Sequence, residues 1–140
     1  MRGLLSRFFR KRHKDSLKKT ILIVEDEAPL SLLIKRILEL KGGYETVIAH
    51  DGKEGLDVAI STQPDLILLD INMPKMDGFE VLKKLKDNKA TFSIPVIMVS
   101  GNSDDISKLK TASLYSDDYV TKPFVAEALL SKVKSRLGSG

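Results

Sequence analysis

From Thr20 onward the chain alternates short apolar runs with longer stretches whose apolar residues recur every three or four positions. Unbroken apolar runs suit strands buried on both faces of a parallel sheet, whereas the wider spacing gathers side chains on one face of a helix. TILIVED, from Thr20, predicts a first strand. Leu30, Leu33, Ile34, Ile37 and Leu38 predict the inner face of the helix after it, which Gly42-Gly43 ends. ETVIAH predicts a second, weaker strand nearer an edge, and GKEGLDVAIST its helix, closed by Pro64. DLILLD is the third strand, and Asp77-Gly78 opens a helix from Phe79 to Lys86 with Phe79, Val81, Leu82 and Leu85 as its apolar face. IPVIMVSG, DDISKLKTASLYS, DYVTK and Val125 to Leu137 supply a fourth strand and helix and a fifth strand and helix. Such βα repeats joined by right-handed crossovers build an α/β fold, a doubly wound five-stranded parallel sheet with helices on both faces.

Sheets of this kind carry their functional groups beyond the carboxyl ends of the strands. Glu25, Asp26 and Glu27 follow the first strand, Asp70 ends the third, Ser100 ends the fourth and Lys122 ends the fifth, so all meet one rim. Taken singly, each has a plain structural use: Asp26 or Glu27 as a helix cap, Asp70 and Ser100 in turns, Lys122 as a solvated charge. Together they form a cluster of acids at the end of a buried core, where unpaired carboxylates are costly. That cluster calls for a cation. With no cysteine, and His13 and His50 far apart, the donors are hard oxygens, which favour Mg²⁺; Ca²⁺ takes more oxygens than this set offers. Magnesium held by few carboxylates completes its shell with water and phosphate oxygens. The expected chemistry is therefore phosphoryl transfer, with Asp70 as a nucleophile forming an acyl phosphate, Mg²⁺ and Lys122 neutralising the oxygens, and Ser100 donating to the same group.

Composition adds a division of the chain. Its 140 residues suffice for one core, and no apolar run approaches the roughly 20 residues that span a bilayer, so a soluble, cytoplasmic protein is expected. The net charge of +4 conceals two unlike parts: residues 1–19 hold eight bases and one acid, whereas the remainder is net acidic. The expected organisation is a basic extension over 1–19, a folded domain over 20–137, and Gly138-Ser139-Gly140 as a flexible tail or an expression remnant. In the extension, Leu4, Leu5, Phe8 and Phe9 share one side of a helix over residues 2–14, with Arg2, Arg7, Arg10, Lys11 and Lys14 mostly elsewhere. A solvated basic tail is the plain reading. Docking on an anionic membrane surface, peripherally, is the alternative that uses the Leu and Phe pairs; nucleic acid would use the charges but not those pairs.

The blocks ILIVEDE, DLILLDINMPKMDG, PVIMVSGN and DDYVTKPF, in this order between Thr20 and Leu137, resemble the four signatures of two-component response-regulator receiver domains. The resemblance implies the flavodoxin-like strand order 2-1-3-4-5 and Asp70 as phosphoacceptor. It implies a magnesium site made by Asp26 directly, Glu25 through water, Asp70 and the backbone carbonyl of Asn72. Ser100 and Tyr119 fall at the switch positions, Lys122 at the phosphate-pairing position, and the Lys122-Pro123 bond is expected to be cis. Also implied are a phosphoryl donor that is a sensor histidine kinase or histidine phosphotransfer protein, weak self-phosphorylation and self-dephosphorylation in place of substrate turnover, and a downstream protein met through the fourth helix, fifth strand and fifth helix. With no output domain after Leu137, the expectation is a stand-alone, chemotaxis-regulator-like regulator or a piece of a longer protein. Two features depart from the family pattern. Tyr115, in LYSDDY, stands where a small residue is usual, and Ala128 and Asp105 interrupt the expected fourth-and-fifth-helix face. A phosphate-independent scaffold is an alternative, although no expected site residue is missing. An aspartyl-nucleophile phosphohydrolase of the dehalogenase type is another, but it wants a second acid two residues after the nucleophile, where this chain has Asn72.

Overall fold

The computed structural model of the protein describes residues 18–101, 105, 108 and 117–138. The expected amphipathic extension lies outside the described residues except for Lys18 and Lys19, as does the expected fourth helix except for Asp105 and Lys108, both helical. Strands β1 (Thr20–Val24), β2 (Glu45–Ala49), β3 (Leu66–Asp70), β4 (Val96–Ser100) and β5 (Asp118–Thr121) form one sheet in the order β2-β1-β3-β4-β5, with every pairing parallel. Helices α1 (Ala28–Arg36), α2 (Gly52–Thr62), α3 (Gly78–Lys86) and a terminal helix (Ala126–Leu137) cover it. Asp51 and Asp77 start α2 and α3 by accepting the Glu54 and Glu80 amides at 2.8 and 3.0 Å. The Lys122-Pro123 peptide bond is cis.

The unbroken apolar strands have a direct explanation, because successive side chains serve two separate cores. Leu22, Val24, Ile67, Leu69, Val96 and Met98 pack with α2 and α3 residues such as Ala59, Val81 and Leu85; Ile21, Ile23, Leu66, Leu68, Ile97 and Val99 pack with Ile34, Leu38, Leu129 and Val133 on the other face. Period-two alternation with no solvent-facing side leaves no position for a polar residue until each strand ends.

Helix α1 departs from its expected face. Ser31, Ile34 and Leu38 are buried, whereas Leu33 is 52 % exposed. A residue adjacent to Ile34 lies about 100° around the helix from it, so the inner stripe passes through Ser31 and leaves Leu33 outside. The helix then widens into a π turn over Ile37–Lys41, of which the sequence pattern gives no sign. Gly43 stops it at φ 74°, a left-handed conformation natural to glycine, and the Tyr44 amide donates to the Leu38 carbonyl at 3.1 Å. The buried Tyr44 donates its hydroxyl to the Gly138 carbonyl at 2.9 Å, so packing extends one residue beyond the expected boundary at Leu137.

At the amino ends of the strands two acids close seams in the sheet. Asp65 donates its amide to the Thr20 carbonyl and accepts the Thr20 amide on Oδ2, both at 2.8 Å. Asp117 repeats the arrangement with Val96, at 2.9 and 2.7 Å. In each case a side-chain carboxylate replaces a missing ladder carbonyl.

Candidate functional site

The opposite rim has a different character. Glu25 and Asp70 are buried, at 1 % and 2 % exposure, Asp26 between them in sequence order is exposed, and carboxylate oxygens of all three lie within 4.8 Å of one another. Lys122 reaches this cluster from beyond β5, with Nζ 3.2 Å from Asp70 Oδ1 and 3.3 Å from Glu25 Oε1. Its aliphatic stem runs past Gly101, where a Cβ would meet Lys122 Cδ at 3.6 Å. Gly78 brings the start of α3 against the end of β3: a Cβ there would lie 2.5 Å from the Asp70 carbonyl oxygen, so only a hydrogen fits. Two amides support the acids, Glu27 N–H on Glu25 Oε2 at 3.1 Å and Asn72 N–H on Asp70 Oδ1 at 3.4 Å.

Capping does not account for these acids. Glu27 occupies the N-cap of α1 with no side-chain cap bond, whereas Asp51 and Asp77 do cap their helices. The charges are instead short of cation. Burial pushes Glu25 up to about 7, against the opposing Glu27 amide and Lys122, and the neighbouring Asp70 carboxylate adds to the rise. Asp70 is raised as well, by burial, although Lys122 opposes it. Burial alone would lower the Lys122 pKa, yet the Asp70 and Glu25 carboxylates override it and raise it. One ammonium faces three carboxylates. A set of hard oxygens, two of them on buried and electrostatically strained acids and one on an exposed acid open to solvent, fits a divalent cation of the magnesium class.

Ser100 is fully buried at the end of β4, and its hydroxyl donates to Asp105 Oδ2 at 3.0 Å. Asn72 donates its side-chain amide to the same oxygen at 3.1 Å. Asp105, itself buried, thus joins two of the expected site residues. Sequence reading treated it as an interruption of a docking face; its place five residues after Ser100, in the polar stretch that follows a strand end, is the feature that could have pointed to it. Tyr119 in β5 is half-buried against the core beneath α2 and α3, with Lys132 Nζ 5.7 Å from its ring centre. Lys132 also pairs with Asp118 at 2.9 Å, and Arg136 donates to the Asp117 carbonyl, fastening β5 to the terminal helix.

Comparison with known proteins fits this arrangement. The profile of the response regulator receiver domain matches residues 21–134. The chain belongs to that family. It is 39 % identical over 121 residues to the alkaline phosphatase synthesis transcriptional regulatory protein PhoP of Bacillus subtilis, which covers 86 % of this chain and 49 % of that protein. It is likewise 39 % identical over 119 residues to the phosphate regulon transcriptional regulatory protein PhoB of Pseudomonas aeruginosa, covering 85 % and 52 %. The receiver chain therefore spans about half the length of these curated relatives. Among solved structures, the receiver domain of a signal transduction histidine kinase from Syntrophus aciditrophicus is 37 % identical with a TM-score of 0.77, covering 85 % of this chain and 89 % of that one. The chemotaxis protein CheY4 of Vibrio cholerae is 28 % identical, also with a TM-score of 0.77, covering 85 % and 98 %. Receiver domains are phosphorylation-activated signalling switches and not enzymes of small-molecule turnover.

Proposed function

We propose that this receiver accepts a phosphoryl group on Asp70 from a histidine kinase or histidine phosphotransfer protein. An Asp70 carboxylate oxygen attacks phosphorus, a P–O bond forms, and the P–N bond to the donor imidazole breaks, its electron pair returning to the ring nitrogen. The observation that carries this reading is Lys122 Nζ held between Asp70 Oδ1 and Glu25 Oε1 beside the exposed Asp26. Asp26 and Asp70 directly, Glu25 through water and the Asn72 carbonyl would hold magnesium, which when bound supplies positive charge for the transferring oxygens. Lys122 gives its ammonium to the same oxygens, and the Ser100 hydroxyl donates to the attached phosphoryl. Tyr119 then turns inward, which alters the face made by the helix after β4, β5 and the terminal helix, where a downstream protein docks. Slow self-phosphorylation from small acyl phosphates and slow self-dephosphorylation belong to the same chemistry.

Incubation with radiolabelled acetyl phosphate and Mg²⁺ tests this reading. One phosphoryl per chain is expected, absent from Asp70→Asn and in excess EDTA. Labelling of Asp70→Asn would refute the acceptor assignment, and no labelling of the natural chain would favour a phosphate-independent scaffold.

No helix among the described residues is long and apolar enough to cross a membrane. For residues 1–19 the arrangement of four large apolar side chains among eight bases supports peripheral docking of a cytoplasmic protein on an anionic bilayer. Vesicles containing phosphatidylserine should co-sediment the whole chain but neither a chain starting at Lys18 nor the Phe8→Ser, Phe9→Ser variant. Failure of the intact chain to bind at low salt ends that reading.

A further inference from the structure

Three carboxylates are buried among the described residues: Glu25 and Asp70, which face Lys122, and Asp105, which does not and to which the proposed transfer gives no task. Asp105 Oδ2 receives Ser100 Oγ from the end of β4 and Asn72 Nδ2 from the loop after β3. We infer that Asp105 is a positioning residue that latches the Ser100 hydroxyl in the unphosphorylated state and converts its release into movement of the helical turn that carries Asp105. The inference rests on Asp70 as the phosphoacceptor and Ser100 as the hydroxyl that meets the phosphoryl.

A serine hydroxyl has one proton to donate. Ser100 is fully buried, so a proton directed at Asp105 Oδ2 is not directed at a phosphoryl oxygen on Asp70, and the two donations compete. Bonds to a carboxylate are charge-assisted and about twice as strong as neutral ones, so the latch opposes the switch until a second anion, the phosphoryl, offers an acceptor of the same class. The competition is what makes the hydroxyl two-position. Once Ser100 turns away, Asp105 keeps the Asn72 amide but loses one of its two described donors while still buried. An under-satisfied buried carboxylate is unfavourable, so Asp105 moves toward solvent and its helical turn moves with it. A phosphoryl can shift a conformational equilibrium only through an interaction that differs between the two states, and the Ser100–Asp105 bond is such an interaction.

Backbone amide NMR on the full, unphosphorylated chain tests the latch, with the natural chain bound to beryllofluoride and Mg²⁺ marking the switched end of the scale. Asp105→Ala should move the Ser100 and Tyr119 amide peaks toward that end, with the switched population raised about tenfold. Asp105→Asn, nearly the same shape and still carrying an acceptor oxygen, should restore most of the original peak positions. In a Ser100→Ala background, Asp105→Ala should produce no further movement along the same line, a dependence that general loosening of the fold would not show. Peaks that stay in place in Asp105→Ala, or that move equally far without the Ser100 hydroxyl, would overturn the latch. If Asp105→Ala does not fold, Asp105→Asn decides: it keeps the acceptor but weakens it, so a small displacement along the line that vanishes with Ser100→Ala supports the latch, and none overturns it. Labelling of Asp70→Asn by acetyl phosphate would overturn the acceptor reading and the latch together, whereas unmoved peaks with Asp70-specific labelling intact would overturn the latch alone.

Discussion

The two rims of the sheet both carry carboxylates at strand ends, yet they treat them in opposite ways. At the amino rim, Asp65 and Asp117 are answered by main-chain amides of the adjacent strand, Thr20 and Val96, in a reciprocal pair of bonds. At the carboxyl rim, Glu25 and Asp70 crowd against one lysine and remain harder to ionise than ordinary acids because they are buried. A carboxylate fastened to a main-chain amide of the neighbouring strand stabilises the fold where it stands. One that is buried, near like charges and short of positive partners is poised for chemistry. The difference is therefore one of satisfaction, and it separates structural from functional acids that look alike in sequence.

The largest contrast should come from exchanging the two classes by mutation. Asp70→Asn should lower acetyl phosphate labelling at least about 100-fold, while its urea midpoint rises, because the folded state no longer holds a carboxylate it disfavours. Asp117→Ala should label normally and lose about 1–3 kcal/mol, since the buried Val96 amide is left without its carboxylate. A labelling defect in Asp117→Ala, with the fold intact, would break the division. Gly78→Ala comes next, because its Cβ would lie 2.5 Å from backbone, the Asp70 carbonyl oxygen; about 1–3 kcal/mol of stability should be lost, read by denaturant unfolding, with slower labelling as Asp70 shifts.

The pH dependence is smaller and has a definite sign. Glu25 and Asp70 bind protons more tightly folded than unfolded, so in metal-free buffer stability should fall as pH rises from near 4.5 through about 7. Glu25→Gln should flatten that slope, and millimolar Mg²⁺ should restore stability most at the upper end. Urea melts of the natural chain in EDTA that strengthen between pH 5 and 7.5 would contradict it. Smallest of all should be Gly101→Ala, whose added methyl makes ordinary contact with the Lys122 stem at 3.6 Å; a change within about 0.5 kcal/mol is expected by the same measurement.

Much of this arrangement was legible from spacing. The strands were visible because both sheet faces are dry, and the functional rim because each run ends abruptly on a polar residue in one direction of the chain. Asp65 and Asp117 gave no such indication, since a carboxylate that completes a ladder has the same sequence context as one that awaits a ligand. The exposure of Leu33 was missed because a helix with apolar residues over more than half its circumference does not state which stripe turns inward, and the buried Ser31 reads as polar. Asp105 was obscured for a related reason. Its partners leave different strands, Ser100 close by in sequence and Asn72 from the loop after β3, so the shared oxygen exists only once β3 and β4 lie side by side.

The hydroxyl of Tyr44 on the Gly138 carbonyl has a consequence for how the domain can be wired. The Lys19 carbonyl accepts the amide of Glu45, the residue after Tyr44, so both ends of the described fold are fastened beside the start of β2. They leave through a common port, roughly 17 Å of strand from the acids at the far rim. A tether, dye or fused module joined at Lys18 or Gly138 would be attached at the back of the sheet, away from the rim that carries Glu25, Asp26 and Asp70.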